Sequence, residues 1–388
     1  MTNRIEKIKD LVVKLKGLTT VSSALVISQI ISGIFWLFIA KLLGTELYGE
    51  LSYYIAIATI ASVISFFGAS NTIITYTAKG IKIQPPIFLI TIISSVITSI
   101  IIFFMFYNVG VSLFVVGSAI FVLSTSELLG IKLFKKYALY LITQKIIAVG
   151  LAIGLYYIIG YNGIILGISL SFFPSVIRLC QVFRESKIDF SVLKSRGGFI
   201  INSYMLEISR TFNGSIDKLI IAPLLGFAIL GNYHLGMQIL MILTLIPSTI
   251  YVYIATHDAS GNPNNKLKFY IILFSGGLTI IGITLSPIIL PILFPKFNEA
   301  IGIIQILSLS ITPGTINLTY ISKFMGNEKP KIVLIGSVLF ISIQIISMFT
   351  LGKIYGANGI AMAFVLAVSS EMIYLLSINR FFKIKKDS

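Results

Sequence analysis

The residues best suited to bind an ion or an anionic group lie in one apolar stretch, residues 199–221. Their spacing of three, four and three residues places four of them on one helix face: Glu207, Arg210, Gly214 and Asp217. A guanidinium matches the geometry of phosphate oxygens, and a carboxylate inside a cavity can carry a proton or a cation. We therefore interpret Arg210 as an anion-binding residue and Glu207 and Asp217 as coupling or gating residues.

A structural role is the alternative for each of these charges. A charge at the centre of a bilayer costs at least about 2.5–3.5 kcal/mol, so each one requires a partner or a function. Arg210 lies about 16 Å into its segment at 1.5 Å per residue, and it could pair with Glu207 on the same helix face. Asp217 could equally pair with the adjacent Lys218 at the end of the segment.

Lys145 is a second cation inside an apolar segment, with the same two interpretations. It could contact an anionic ligand, or it could pair with Glu127 or Glu371, which lie at similar depth in other segments. The ion pair is the favoured interpretation. The weaker candidates for cavity-lining residues are polar side chains that more often form hydrogen bonds between helices: Gln29, Asn71, Asn213 and His234.

The sequence has no pattern typical of an enzyme or of a metal site. One cysteine, Cys180, and two histidines, His234 and His257, leave little for zinc or for histidine-based catalysis. There is no phosphate-binding Gly-Lys-Ser/Thr loop and no paired carboxylates outside the apolar segments. We therefore expect no catalytic residues, no metal and no cofactor.

The composition predicts a polytopic membrane protein. Of 388 residues, 56% are hydrophobic and only 11% charged, whereas soluble domains carry about 25% charged residues. About 20 apolar residues are needed to cross a bilayer as a helix. The runs are apolar on both faces, which disfavours the alternating strands of a barrel. We predict an all-α protein with twelve membrane-spanning helices, near residues 18–40, 51–73, 86–107, 110–131, 137–159, 161–180, 199–221, 228–254, 268–292, 299–322, 331–351 and 357–379.

The positive charges predict the orientation of these helices. Of 30 Lys and Arg residues, 24 fall in segments on one side of the membrane if residues 1–17 are placed in the cytoplasm. Lys and Arg accumulate on the cytoplasmic side, so both termini should be cytoplasmic in a multi-pass protein of the cytoplasmic membrane. The net charge of +16 is thereby explained by topology, and we expect no nucleic-acid partner.

An internal repeat predicts two halves. Leu37–Gly49 (LFIAKLLGTELYG) and Leu219–Gly231 (LIIAPLLGFAILG) agree at seven of thirteen positions, including both glycines of each stretch. Gly160–Ser171 and Gly356–Ala367 form a second, weaker match. Because six spans return the chain to the same side, the two halves should be parallel repeats. We predict two six-helix lobes around a central cavity, residues 1–180 and 199–388, joined by a cytoplasmic linker, residues 181–198.

The same motifs carry a family resemblance over nearly the whole chain. Leu43-Gly44 followed by Tyr48-Gly49, and Asp217 followed by Leu225-Gly226 and Gly231-Asn232-Tyr233, resemble the hairpin motifs of polysaccharide (O-antigen-type) repeat-unit flippases. That family belongs to the multidrug/oligosaccharidyl-lipid/polysaccharide exporter superfamily. The resemblance implies twelve helices in two lobes, with a cavity lined mainly by helices one, two, seven and eight.

The resemblance also implies the function. It predicts a flippase for a polyprenyl-diphosphate-linked oligosaccharide that works by alternating access in polysaccharide biosynthesis. Its partners would be the lipid-linked oligosaccharide, membrane lipids, and H⁺ or Na⁺ as coupling ion. The first alternative is a cation-coupled multidrug exporter of the same superfamily. A membrane-embedded polysaccharide polymerase is disfavoured, because the predicted outer loops are short.

Overall fold

The fold was taken from a computed structural model that describes residues 2–185, 188–259, 264–327 and 329–387, with the side chains of 2–18, 252, 256, 257, 259 and 382–387 left out of the description. Sixteen α-helices and one short 3₁₀ turn, Phe173–Ser175, make up this part of the chain, which contains no strand. The helices are α1 Thr2–Leu43, α2 Thr45–Phe66, α3 Ala69–Ala78, α4 Gln84–Phe106, α5 Val109–Gly130, α6 Phe134–Ile159, α7 Asn162–Leu170, α8 Val176–Glu185, α9 Ser191–Lys194, α10 Gly197–Leu225, α11 Phe227–Leu243, α12 Leu245–Ala259, α13 Asn265–Leu293, α14 Ala300–Ser308, α15 Ile311–Gly326 and α16 Pro330–Asp387.

These helices account for twelve membrane spans. Eight helical stretches of the described residues are long and apolar enough to cross a membrane, and two bent pairs, α11 with α12 and α14 with α15, raise the number to ten. Helix α16 has 58 residues and a non-helical break at Gly356, so it contains two spans rather than one. Helix α10 has 29 residues and completes the count of twelve as the seventh span along the chain. Its polar residues lower its mean hydropathy. The predicted all-α, twelve-helix membrane fold is confirmed.

Several spans are broken where the sequence predicts continuous helices. The second predicted span, 51–73, consists of α2 and α3, separated at Phe67 and Gly68, which have φ angles of 50° and 70°. The eighth span bends by 51° between α11 and α12, and the tenth bends by 41° between α14 and α15. Such breaks free backbone groups inside the membrane, and they occur where neighbouring protein groups can satisfy them.

The residues group into two compact units. One unit comprises residues 1–35 and 54–216, and the other comprises residues 36–53 and 217–388. In the first unit, α3 and α4 pack on α5, and α7 packs between α5 and α6. Nine buried residues form its core cluster: Ala69, Ile73, Ile83, Ile87, Phe88, Ile120, Leu123, Leu179 and Val182.

In the second unit, α14 and α15 are the central helices. Helix α14 packs on α11, α13 and α16, and α15 packs on α12, α13 and α16. Ile303, Ile304 and Leu307 of α14 and Ile311 of α15 are at most 2% exposed. The apolar faces of these shorter helices are therefore covered on several sides by the longer ones.

Each unit contains the same helix-to-helix turn. In the first unit, Gly160 adopts a φ of 73°, and a Cβ atom on Gly163 would lie 2.3 Å from the carbonyl oxygen of Leu155. In the second, Gly356 adopts a φ of 57°, and a Cβ atom on Gly359 would lie 2.0 Å from the carbonyl oxygen of Leu351. All of these pairs are 196 residues apart, so the weaker sequence match corresponds to a repeated structure.

Candidate functional site

The polar residues of α10 share one side of a continuous helix, as their spacing predicts. In the first unit, Arg210 and Gly214 are exposed, whereas Glu207 and Asn213 are partly buried. The opposite side carries exposed apolar residues such as Ile201 and Met205. A helix with one polar and one apolar side separates two environments, which is the property expected of a cavity-lining helix.

Glu207 lies at the start of α3, next to the break in the second span. Its Oε1 atom accepts a hydrogen bond of 3.2 Å from the backbone N–H of Asn71, in the first turn of α3. The first N–H groups of a helix have no intrahelical partner and carry partial positive charge, so they favour an anion there. The Oε2 atom of Glu207 is buried, and no hydrogen-bond partner for it lies within the described residues.

Helix α10 also contacts the break itself. The Tyr204 hydroxyl donates to the carbonyl oxygen of Ile64 at 2.9 Å, near the end of α2. Its ring centroid lies 5.5 Å from that of Phe67. A Cβ atom on Gly68 would lie 2.6 Å from the backbone nitrogen of Tyr204, so no other residue fits there without displacing α10. Tyr204 and Glu207, one turn apart, therefore supply hydrogen-bond partners on both sides of the break in the second span.

Arg210 and Glu207 attract each other electrostatically, but among the described residues no carboxylate lies within 4.0 Å of Arg210. The close ion pair that was the structural alternative for Arg210 is therefore not formed in this structure. Next to it in sequence, Asn213 has a buried Oδ1 atom with no described hydrogen-bond donor. This side of α10 thus carries an exposed guanidinium together with two buried acceptor atoms, Oε2 of Glu207 and Oδ1 of Asn213, for which no hydrogen-bond donor is described.

Asp217 and Lys218 pair in the second unit. Asp217 is 2% exposed, and its Oδ1 accepts from the backbone N–H of Lys218 at 2.8 Å and from its Nζ at 3.2 Å. Asp217 also interacts electrostatically with Tyr233, which is fully buried. The local pairing that was one of the two interpretations of Asp217 is therefore present, within α10.

His234 lies in a buried aromatic cluster, also in the second unit. Its ring centroid is 5.6 Å from that of Trp36 and 5.0 Å from that of Tyr48, and Phe297 lies 6.0 Å from Tyr48. The His234 Nε2 atom is 3.5 Å from Nε2 of Gln238, and its buried Nδ1 has no described partner. His234 is 7% exposed, so it packs within the protein rather than lining an open surface.

Neither of the predicted partners of Lys145 lies within 4.0 Å of it in the described part of the chain. Glu127 instead binds Arg178, with Nε–Oε2 and Nη2–Oε1 distances of 2.8 and 2.6 Å. Glu371 accepts from Asn317 at 3.1 Å. The favoured interpretation of Lys145 as half of one of these ion pairs therefore has no support here.

The structure brings together only part of the predicted set. It joins Glu207 with the backbone of Asn71, whereas Gln29 is exposed on α1 with no hydrogen bond of its own described. Sequence reasoning missed Tyr204 and the aromatic neighbours of His234. Tyr204 had one available signal, its position one turn before Glu207 on the same helix face.

Solved structures that are similar to this chain include membrane transporters. The inward-facing form of a multidrug resistance MATE family transporter of the MOP superfamily aligns with a TM-score of 0.71 and 13% identity, covering 93% of this chain and 96% of that one. The lipid II flippase MurJ in an inward closed conformation aligns with a TM-score of 0.72 and 15% identity, covering 93% and 87%. This chain has the MOP superfamily fold. The predicted resemblance to this superfamily is confirmed at that level.

A third neighbour from Pyrococcus furiosus is described as a MOP superfamily transporter whose binding pocket has reversed polarity. It aligns with a TM-score of 0.62 and 13% identity, covering 94% of this chain and 95% of that one. No model of a known protein family and no curated protein matches the sequence significantly. The multidrug transporters and the lipid flippase align about equally well, so the fold alone does not distinguish a drug from a lipid-linked cargo.

Proposed function

We propose that the protein is a flippase that moves a polyprenyl-diphosphate-linked oligosaccharide across the cytoplasmic membrane by alternating access, with both termini cytoplasmic. The proposal assigns six helices to each lobe, residues 1–180 and 199–388, with residues 181–198 as the linker. The diphosphate would bind Arg210, and Lys145 would assist. Asn71, Asn213 and Gln29 remain proposed contacts for the cargo, and buried His234 would contact it only in a conformation that exposes the imidazole.

The observation that carries this proposal is the state of Arg210. Its guanidinium is exposed on the polar side of α10, about 16 Å from the predicted cytoplasmic end of the span, and no carboxylate among the described residues lies within 4.0 Å. A cation at this depth in the membrane is energetically costly when no counterion lies close to it, and it therefore attracts an anion. A diphosphate supplies two adjacent anionic groups, which a guanidinium binds through paired hydrogen bonds.

A translocation assay tests the proposal. The protein is reconstituted into liposomes with a fluorescent polyprenyl-diphosphate-sugar, and a membrane-impermeant quencher measures the fraction in each leaflet. Wild type should accelerate exchange between leaflets, and Arg210→Ala should abolish the acceleration. Lys353→Ala, which removes an exposed cation at a helix end, is the matched control and should leave exchange unchanged.

The second candidate is a cation-coupled multidrug exporter, favoured by the TM-score of 0.71 to a MATE transporter. An exporter of cationic drugs should not need an exposed arginine in its cavity, because like charges repel. Expression should then raise resistance to cationic dyes, and Arg210→Ala should leave this resistance intact. The flippase proposal would be overturned if the protein raised this resistance but did not accelerate exchange of the diphosphate lipid between leaflets.

A further inference from the structure

A cavity lies between the fifth and sixth spans, within the first unit. It has a volume of about 220 Å³, and its lining includes residues of α6, the 3₁₀ turn and α8: Leu139, Tyr140, Thr143, Ile147, Pro174 and Ile177. Leu139 and Ile177, which belong to different walls, are 63% and 65% exposed. Because large apolar side chains exposed on membrane-spanning helices face lipid, the cavity opens to the bilayer.

The cavity exists because the two spans are packed tightly at one end only. A Cβ atom on Gly167 of α7 would lie 2.4 Å from the backbone nitrogen of Ala152 in α6, so the two helices touch there. Further along, Nε2 of Gln144 donates to Oγ of Ser171 at 2.9 Å. The 3₁₀ turn then interrupts the sixth span, and α8 continues mainly against α4 and α5. A gap therefore remains between α6 and α8.

One cation lies on each wall at the open end of this gap. On α6, Lys136 shares a helix face with the cavity-lining Tyr140 and Thr143, at spacings of four and three residues. On α8, Arg184 lies two turns after Ile177, and both cations are exposed. This is the predicted cytoplasmic end of both spans, and basic pockets between spans bind anionic lipid headgroups on that side of a membrane.

Neighbouring carboxylates do not neutralise these two cations. Arg178, nearer to the core, binds Glu127 at 2.6 Å and contacts Glu185 at 3.6 Å. In the part of the chain that the structure describes, no carboxylate lies within 4.0 Å of Lys136 or Arg184. Both positive charges therefore remain to attract an anionic headgroup.

The polar groups of the cavity match the ester region of a phospholipid. The hydroxyl groups of Tyr140 and Thr143 lie one and two turns beyond Lys136, and within the described residues neither of them donates a hydrogen bond. Ester carbonyl oxygens lie just below a phospholipid's phosphate and can accept such bonds, whereas a polyprenyl chain has no acceptor there. From Leu139 to Ile147 the lining extends about 12 Å along α6, close to the roughly 15 Å of hydrocarbon in one leaflet.

We infer that this cavity binds an acyl chain of an anionic phospholipid, whose phosphate lies between Lys136 and Arg184. The volume of about 220 Å³ is below the range of about 300–1,000 Å³ that is typical of sites for drug-sized ligands, so it suits one chain. The ester carbonyl oxygens accept hydrogen bonds from Tyr140 and Thr143. The bound lipid fills the gap between α6 and α8 and gives hydrogen-bond partners to hydroxyl groups that would otherwise face hydrocarbon.

Native mass spectrometry of the delipidated full-length protein in detergent tests the inference. The protein is titrated with phosphatidylglycerol or with phosphatidylcholine of the same chains, and the apparent Kd of the first bound lipid is compared. Wild type should bind phosphatidylglycerol about thirtyfold more tightly, the factor that two cations near a membrane surface provide. Lys136→Gln combined with Arg184→Gln should reduce this preference to less than about threefold. The control, Lys82→Gln with Lys331→Gln, changes two exposed lysines at other predicted cytoplasmic span ends and should preserve it.

A second pair of variants tests the cavity itself. Thr143→Trp fills the space between the two spans and should weaken phosphatidylglycerol binding about tenfold or more. Ile146→Trp adds the same ring to α6 at a position that is 58% exposed and outside the lining, and it should bind phosphatidylglycerol as wild type does. The charge variants alter exposed side chains only, so they decide the question if Thr143→Trp does not fold.

Two results would overturn the inference. One is an equal preference for phosphatidylglycerol in wild type and in the variant that lacks both cations. The other is displacement of phosphatidylglycerol by an equal concentration of a long-chain polyprenyl phosphate, which would assign the cavity to a different lipid. Phospholipid binding here does not depend on the cargo, so failure of the flippase assay leaves the inference standing.

Discussion

Gly49 of α2 and Gly231 of α11 contact each other's helices reciprocally. A Cβ atom on Gly49 would lie 1.9 Å from the carbonyl oxygen of Phe227, and one on Gly231 would lie 1.9 Å from that of Thr45. Both glycines and both carbonyl residues are 182 residues apart, the spacing of the stronger sequence repeat. The repeated motif therefore packs against its own copy. The contact resembles one across a two-fold axis, in which equivalent residues of the two copies make the same contacts.

This crossing leaves no space for a methyl group, so alanine at either position should destabilise the protein. We expect Gly49→Ala and Gly231→Ala each to cost about 3 kcal/mol or more, since backbone atoms cannot move aside as flexible side chains can. The melting temperature in detergent is the measurement. Gly276→Ala in α13 is the control, because its Cβ would meet nothing within 4 Å. Equal melting temperatures for all three variants would contradict the close approach.

Glu207 should contribute little to stability and much to transport. Glu207→Gln keeps an oxygen that can accept from the Asn71 N–H, so its cost should stay below about 1 kcal/mol, whereas Glu207→Ala should lose about 1–2 kcal/mol with the helix-capping bond. Leaflet exchange should be lost in both variants if the carboxylate carries the coupling ion. Exchange at the wild-type rate in Glu207→Gln would assign the residue to capping alone.

The membrane fold is largely predictable because its determinants are local. The sequence itself shows the twelve apolar segments, the distribution of charges between them and the repeated glycines. The breaks are not, because they depend on distant partners. Phe67 adopts a φ of 50° next to Tyr204, which lies 137 residues later, and nothing between residues 51 and 73 except Gly68 indicates an interruption.

The candidate site was predictable only as a set of residue types. The helical period placed Glu207 and Arg210 on one side of α10 without any knowledge of other helices. It could not decide which polar residues have partners. Glu127 binds Arg178, 51 positions later, rather than Lys145. His234 packs against the rings of Trp36 and Tyr48 in the first hairpin. Partner choice of this kind depends on packing between helices.

The Glu127–Arg178 pair should behave as a buried ion pair. Arg178→Met leaves the buried Glu127 carboxylate without its cation and should lower the free energy of unfolding by about 3–5 kcal/mol. Glu127→Gln should cost less, because Arg178 keeps a contact of 3.6 Å with the exposed Glu185. Replacing both residues, as in Glu127→Gln with Arg178→Met, should cost less than the sum of the two single changes. Chemical denaturation in detergent gives the three values. A double variant as unstable as the sum of the single ones would mean that the two residues do not act as a pair.

His234 should be dispensable for stability, because its environment is aromatic and its Nδ1 has no described partner. Phenylalanine fills a similar volume and removes a buried nitrogen that lacks a hydrogen bond. We expect His234→Phe to be neutral or to stabilise the protein by up to about 1 kcal/mol.

Phe297→Leu, in the same cluster, is the matched comparison for His234→Phe. It should cost about 1 kcal/mol or more, because it removes ring contacts without removing a polar atom. Thermal unfolding ranks the two variants, and leaflet exchange measured on the same samples separates function from packing. A stable His234→Phe variant without exchange activity would show that transport needs the imidazole. A loss of stability as large as that of Phe297→Leu would instead mean that His234 Nδ1 has a partner in the folded protein.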